Sequence, residues 1–244
     1  MIRERPIFRR RLKIFWRQTL EATLGLKYAG LYGIPRLLLQ HLGRNEPIHL
    51  VDIGAYDGAF TFGLACYCGL LSIVMVEPLP HKAAALKERF RGPDYRVFEC
   101  ALADQPGKTE LHVNQMEATA SLLQLRREMQ EWDGLPLGKD RVISCAQRTL
   151  DSVVAEVGVP VIDLLKLDVQ GVEHLVLAGG EGALKKSKRI WTECSFKPLY
   201  DGSSTFGDIY ALLVARGFRL LELSENFRST TGELLQVDAL FARD

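Results

Sequence analysis

The chain has 244 residues, 47% of them hydrophobic and 25% charged, with a formal net charge of +1. This is the composition of one globular α/β domain, and it excludes a globally basic nucleic-acid binder. The charge is uneven, because residues 1–17 hold seven bases against the single acid Glu4. The five cysteines (Cys66, Cys68, Cys100, Cys145 and Cys194) are odd in number and sit mostly in apolar runs, so reduced, buried thiols in a cytoplasmic protein are expected. Cys66 and Cys68 form a C-x-C with no second pair, which argues against zinc. No apolar run reaches the ~18–20 residues of a spanning helix, and the basic start lacks the apolar core of a signal peptide.

Residues 1–46 read as a helical extension. Phe8, Leu12, Phe15, Trp16, Thr19 and Leu20 recur at helical spacing with arginines between them. Three roles are open: a helix docked on the domain, a peripheral contact with a membrane or anionic partner through residues 1–17, or a dimer contact. Pro35 is placed to start a second helix running to about Leu42.

The main domain, residues 47–244, opens with a strand at Ile48–Ile53, a glycine loop and a helix at Ala59–Tyr67. A buried strand over Leu71–Val76, a helix over Pro80–Phe90 and a third strand over Asp94–Cys100 follow. An insertion of about residues 105–147 interrupts the alternation, with strands at Thr109–Val113 and Arg141–Gln147 and a helical piece at Leu122–Trp132. Thr149 caps a short helix. A strand then leads to Asp168, and Arg189–Cys194 brings Glu193 to the same sheet edge. The tail reads as a helix over Phe206–Arg216 and an antiparallel hairpin, Phe218–Leu223 and Leu234–Ala242, turning from Asn226 to Gly232.

The loop after the first strand reads Asp52-Ile53-Gly54-Ala55-Tyr56-Asp57-Gly58. Open α/β sheets bind ligands at the carboxyl ends of their strands, and glycine lets the backbone come close to a ligand. Dinucleotide sites carry G-x-G-x-x-G, with amides facing a pyrophosphate. Here two acids stand in the loop, which suits a cation such as the ammonium and sulfonium of S-adenosylmethionine. Glu77, at the end of the second strand, is placed to accept both ribose hydroxyls. Asp168, Glu193 and Glu173 are candidate catalytic carboxylates.

Asp52-Ile-Gly54-Ala-x-x-Gly58-x-x-Thr61, Val76-Glu77-Pro78, Ala101-Leu102-Ala103-Asp104-x-x-Gly107 and Thr149-Leu150-Asp151 resemble, in order, the motifs of the FkbM-type methyltransferases. Leu164–Gly171 with Glu173, and the closing Gln236-Val237-Asp238-Ala239-Leu240-Phe241, do the same. The resemblance covers residues 48–242. It implies a Rossmann-like class I methyltransferase fold, with a seven-stranded, mostly parallel sheet whose last strand is antiparallel and helices on both faces. It implies an S-adenosyl-L-methionine-dependent O-methyltransferase acting on a hydroxyl of a sugar, glycan or natural product. Gly54 and Gly58 would then line the methionine end, with Asp52 near its ammonium, and Ala55, Tyr56, Asp57 and Thr61 would also bind the cofactor. Glu77 and Pro78 would hold the ribose, and Ala101, Leu102 and Asp104 would face the adenine. Asp168 would lie beside the sulfonium and the acceptor. Tyr56 stands where the family commonly has Asn, and Gln170 where it often has Glu.

For the chemistry, Asp168 or Glu193 would accept the acceptor's proton, or the two would hold Mg²⁺ to lower its pKa. The alternatives are a non-catalytic module that binds a partner or membrane through residues 1–17, and an NAD-dependent oxidoreductase.

Overall fold

A computed structural model describes residues 34, 36–43, 46–126 and 141–243. The basic amphipathic stretch at residues 1–17 lies outside the described residues. The expected second helix is a short α1, Arg36–Gln40, and its Leu38 and Leu39 are buried.

The first half alternates as expected: β1 (Ile48–Ile53), α2 (Ala59–Tyr67), β2 (Leu70–Val76), α3 (Pro80–Arg89) and β3 (Tyr95–Phe98). Three short strands then form a separate sheet: β4 (Ala101–Leu102), β5 (Gly107–Val113) and β6 (Arg141–Arg148). The second half supplies α4 (Leu150–Val157), β7 (Leu164–Leu167), α5 (Glu173–Ala178), α6 (Glu181–Lys186) and β8 (Arg189–Ser195). It closes with α7 (Phe206–Val214), β9 (Arg219–Arg228) and β10 (Leu234–Ala242).

The main sheet has seven strands in the order β3-β2-β1-β7-β8-β10-β9. The β3-β2, β2-β1, β1-β7 and β7-β8 pairs are parallel, and β10 runs antiparallel to both β8 and β9. The chain works outward from β1 to one edge, then returns to β7 at the middle and works toward the other. The boundary between β1 and β7 is therefore a topological switch point, where two outgoing loops diverge and leave a crevice.

Successive residues of β1 face opposite sides of the sheet. Val51 and Ile53 join the core formed with α4, α5, α6 and α7, whereas Ile48 and Leu50 join the core under α1 and α2. Local signals set the helix ends. The Thr149 hydroxyl accepts the Ser152 N–H at 3.2 Å at the start of α4, and Gly158 ends that helix at φ 71°. Thr205 and Asp208 form a capping box at the start of α7.

Two local expectations change. Residues 122–126 are bends and an isolated bridge of Leu125 to Tyr200 rather than helix, while 127–132 lie outside the described residues. Leu122 and Leu123 pack against different small clusters instead of lining one helical stripe, so the spacing misleads. The closing hairpin turns at Ser229–Gly232, not from Asn226, since pairing with β10 carries β9 on to Arg228. Among the described residues no helix is long and apolar enough to cross a membrane. All five cysteines are free, and only Cys145 is not buried.

Candidate active site

A cavity opens at the switch point. Its walls come from the loops after β1 (Gly54, Tyr56), β2 (Glu77, Pro78, Leu79) and β7 (Asp168, Val169, Gln170), with Ala101, Leu102, Leu111 and residues 120–122 opposite. Seven residues singled out from the sequence thus share one cavity: Gly54, Tyr56, Glu77, Pro78, Ala101, Leu102 and Asp168.

Other expected contacts are used inside the protein. Asp52 is fully buried, accepts the Thr61 hydroxyl at 2.6 Å, and pairs with the Lys166 ammonium at 3.2 Å. Asp57 is exposed and accepts the Ala59 N–H at 2.9 Å, at the start of α2. The two acids that suggest a cationic ligand therefore serve a buried ion pair and a helix end, and neither lines the cavity. Ala55, Gly58, Thr61 and Asp104 do not line it either.

The glycines also have a packing reason that the sequence does not show. Gly54 sits at φ 73°, and a Cβ there would lie 1.8 Å from the Asp168 carbonyl oxygen. A Cβ on Gly58 (φ 74°) would meet the Phe90 ring at 2.5 Å. Gly54 lets the β1 and β7 loops touch, and Gly58 lets α2 close on α3.

Glu77 is only 3% exposed, and its two oxygens accept the Tyr56 N–H at 2.8 Å and the Leu79 N–H at 2.9 Å. Burial pushes its carboxyl above the usual range, against the pull of those two bonds and of Lys166. Tyr56 adopts φ 48°, and the Lys82 ammonium lies 3.8 Å from its ring centroid.

Lys166 ties the site together. Its ammonium, on a buried stem in β7, donates to the Gly54 carbonyl at 2.7 Å and lies 3.6 Å from Asp168 Oδ2. Attraction to Asp52 and Asp168 raises its pKa despite burial. With apolar neighbours in the sequence, this lysine needs a partner or an end position; the structure gives it two carboxylates, Asp52 and Asp168.

The three candidate carboxylates separate by role. Asp168 is on the cavity wall, with its side chain 40% exposed. Glu173 turns back onto its own loop, accepting the Val169 N–H at 3.1 Å and the Gly171 N–H at 3.3 Å. Glu193 lies behind Asp168 and accepts from the Gln170 amide at 3.3 Å and the Gln236 amide at 3.0 Å. Burial, then the neighbouring Asp168, Glu173 and Asp238, push Glu193 well above the ordinary range.

The Gln170 amide nitrogen also lies 2.7 Å from Asp168 Oδ1, so a hydrogen-bond donor stands between the two carboxylates expected to bind Mg²⁺. Among the described residues no group of three or more His, Cys, Asp and Glu side chains is arranged to hold a metal ion. Sequence reasoning gave no role to Asp238, which pairs across the strands with Glu193. The signal was present as an acid in the apolar run Leu234–Ala242.

Burial drives Glu173 and Asp238 each to about 7. The folded state then holds protons that the unfolded chain releases, so these groups favour folding at acid pH. Their contribution is lost as pH rises from the ordinary carboxyl range through about 7. Asp163 and Asp208, held below the usual range, act in the opposite sense, but only at more acid pH. Urea midpoints should therefore fall between about pH 5 and about pH 8, and Asp238→Asn should flatten that fall.

Two relatives share most of their length with this chain. The 2-O-methyltransferase NoeI of Sinorhizobium fredii (strain NBRC 101917 / NGR234) is 30% identical over 74% of this chain and 76% of its own. The 31-O-demethyl-FK506 methyltransferase FkbM of Streptomyces tacrolimicus is 28% identical over 76% of this chain and 78% of its own. Among solved structures, a TehB-like SAM-dependent methyltransferase from Corynebacterium glutamicum ATCC 13032 Kitasato is similar at 14% identity and a TM-score of 0.47, covering 96% of this chain and 98% of that one. The family model described as the methyltransferase FkbM domain matches residues 52–220. That match spans more than half of the chain and sets the oxidoreductase alternative aside: the protein belongs to the FkbM family of methyltransferases.

Proposed function

We propose that this methyltransferase uses S-adenosyl-L-methionine to O-methylate a hydroxyl of a sugar, glycan or natural product, with the cofactor in the switch-point cavity. The carrying observation is the pairing of Glu77 and Asp168 on two walls of that one cavity. The relatives' names, a 2-O-methyltransferase and a methyltransferase of 31-O-demethyl-FK506, support an oxygen acceptor.

The residues present fit the cofactor. Each Glu77 oxygen spends one lone pair on a backbone N–H, which leaves the carboxylate able to accept the ribose hydroxyls. Ala101, Leu102 and Leu111 give an apolar wall for the adenine, and Gly54 and Tyr56 would receive the methionine end. When bound, the cofactor supplies a methyl group on a positively charged sulfur that is already a good leaving group.

The chain's own contribution is positioning and proton removal. Holding acceptor and donor in line can contribute ~7–11 kcal/mol, and general-base help about 10²–10⁴-fold. Asp168 Oδ1 or Oδ2 would take the proton from the acceptor hydroxyl, because Asp168 alone of the three candidate carboxylates lines the cavity. Glu173 holds the loop that carries it.

The test is calorimetric titration with S-adenosylmethionine, S-adenosylhomocysteine and NADH. Micromolar binding of both adenosyl ligands and none of NADH is expected. Glu77→Ala should weaken the adenosyl ligands about 30–100-fold, the worth of one or two hydrogen bonds to a charged group. Wild-type protein that binds neither adenosyl ligand would end this reading.

A further inference from the structure

The least expected residue at the site is Gln170. It adopts φ 58°, a left-handed backbone that side chains other than glycine rarely take. Four contacts hold it there. The Ser121 hydroxyl donates to its backbone carbonyl at 2.7 Å, and the Tyr200 hydroxyl lies 2.8 Å from its side-chain oxygen. Its side-chain nitrogen then points at Asp168 Oδ1 (2.7 Å) and Glu193 Oε2 (3.3 Å).

The chemistry fixes the amide's sense. The Asp168 carboxylate calls for the –NH₂ end of the amide, which leaves the carbonyl end to accept from the Tyr200 hydroxyl. Tyr200 is itself nearly fully buried, and its hydroxyl also reaches the Thr119 carbonyl at 3.1 Å. The side-chain amide is thus held at its oxygen by Tyr200, from the segment after β8, and at its nitrogen by Asp168 and Glu193, while Ser121 of the insertion holds the backbone. Asp168 depends on this clamp, because among the described residues its other oxygen has the longer 3.6 Å approach to Lys166.

We infer that Gln170 is a positioning residue, whose Tyr200-anchored amide holds the Asp168 carboxylate turned toward the cavity, where a sulfonium would sit. A charge-assisted hydrogen bond of this kind is stronger than a neutral one and is directional. The inference rests on the proposed use of S-adenosylmethionine, and it goes further by naming what aims the carboxylate.

Comparing a cationic ligand with a neutral one isolates the effect. S-adenosylmethionine carries the sulfonium charge and S-adenosylhomocysteine does not, so the ratio of their dissociation constants reports a carboxylate aimed at that atom. Asp168→Asn calibrates the ratio by removing the charge. Gln170→Leu should weaken S-adenosylmethionine about tenfold and S-adenosylhomocysteine less than about twofold. Tyr200→Phe frees the carbonyl end of the amide and should move the ratio in the same direction by about two- to threefold; it keeps the test decisive if Gln170→Leu does not fold. A merely structural role would weaken both ligands equally. If Asp168→Asn collapses the ratio while Gln170→Leu and Tyr200→Phe leave it at the wild-type value, the inference is overturned. If wild-type protein binds neither ligand, the functional reading fails first, and the two failures are told apart.

Discussion

Replacing Gly54 by alanine should destabilise the protein by roughly 3–5 kcal/mol, at the top of the range for single substitutions. Two penalties act at one position. Alanine would have to hold φ 73°, and its Cβ would be 1.8 Å from the Asp168 carbonyl oxygen. That oxygen is backbone of the loop leaving β7, and the Asp168 N–H bonds to the Ile53 carbonyl at 3.2 Å, so it cannot swing aside alone. The β1 and β7 loops would be driven apart, and adenosyl binding would go with them. Gly107→Ala is the control, because nothing lies within 4 Å of the added Cβ and no positive φ is required. Urea denaturation of both variants decides the matter. A Gly54→Ala midpoint close to that of Gly107→Ala would mean that the loops do not touch in solution.

Lys166→Met should cost a comparable amount, about 3–5 kcal/mol, because it leaves the Asp52 charge buried without its cation. The side chain of Asp52 is 0% exposed and that of Lys166 8% exposed, so water cannot stand in. The loss would exceed that of a surface ion pair, which is worth about 0–1 kcal/mol. Adding Asp52→Asn to Lys166→Met should recover part of it, since an amide carries no charge to bury. Attraction to its two carboxylates raises the pKa of Lys166, so its stabilisation is fully present below the ordinary lysine range and is lost only as pH rises above that range. The gap between wild type and Lys166→Met should therefore stay flat across neutral pH. If the single and double variants unfold at the same denaturant concentration, the buried pair is not what Lys166 serves.

The architecture was legible because its signals are local. Buried strands bounded by turns and a helix capped by Thr149 each require only neighbouring residues to agree, and β1 and α2 fall at the residues expected. The place of Glu77 on the cavity wall was legible because it ends a buried strand beside the glycine loop. Residues 105–147 were harder. Their two strands pair with each other and, through β6, with Ala101–Leu102 in a second sheet, and Leu125 bridges to Tyr200, far along the chain. Periodicity reports a face only where one element packs on one surface.

The α/β order, the family and the strand ends that face the crevice could be read from the amino-acid sequence alone. Each of these follows from residues adjacent in the chain or from motifs in order. Which carboxylate faces the cavity and which is buried follows from packing between distant segments. Asp52 and Asp168 both close apolar strand segments, yet one is buried against Lys166 and Thr61 and the other lines the cavity. Burial and partnership are properties of three-dimensional neighbours, and a charge's role depends on which of them remove its water. The same holds for Gln170, whose amide acquires its direction from Tyr200, Asp168 and Glu193, three groups from separate parts of the chain that meet only after folding.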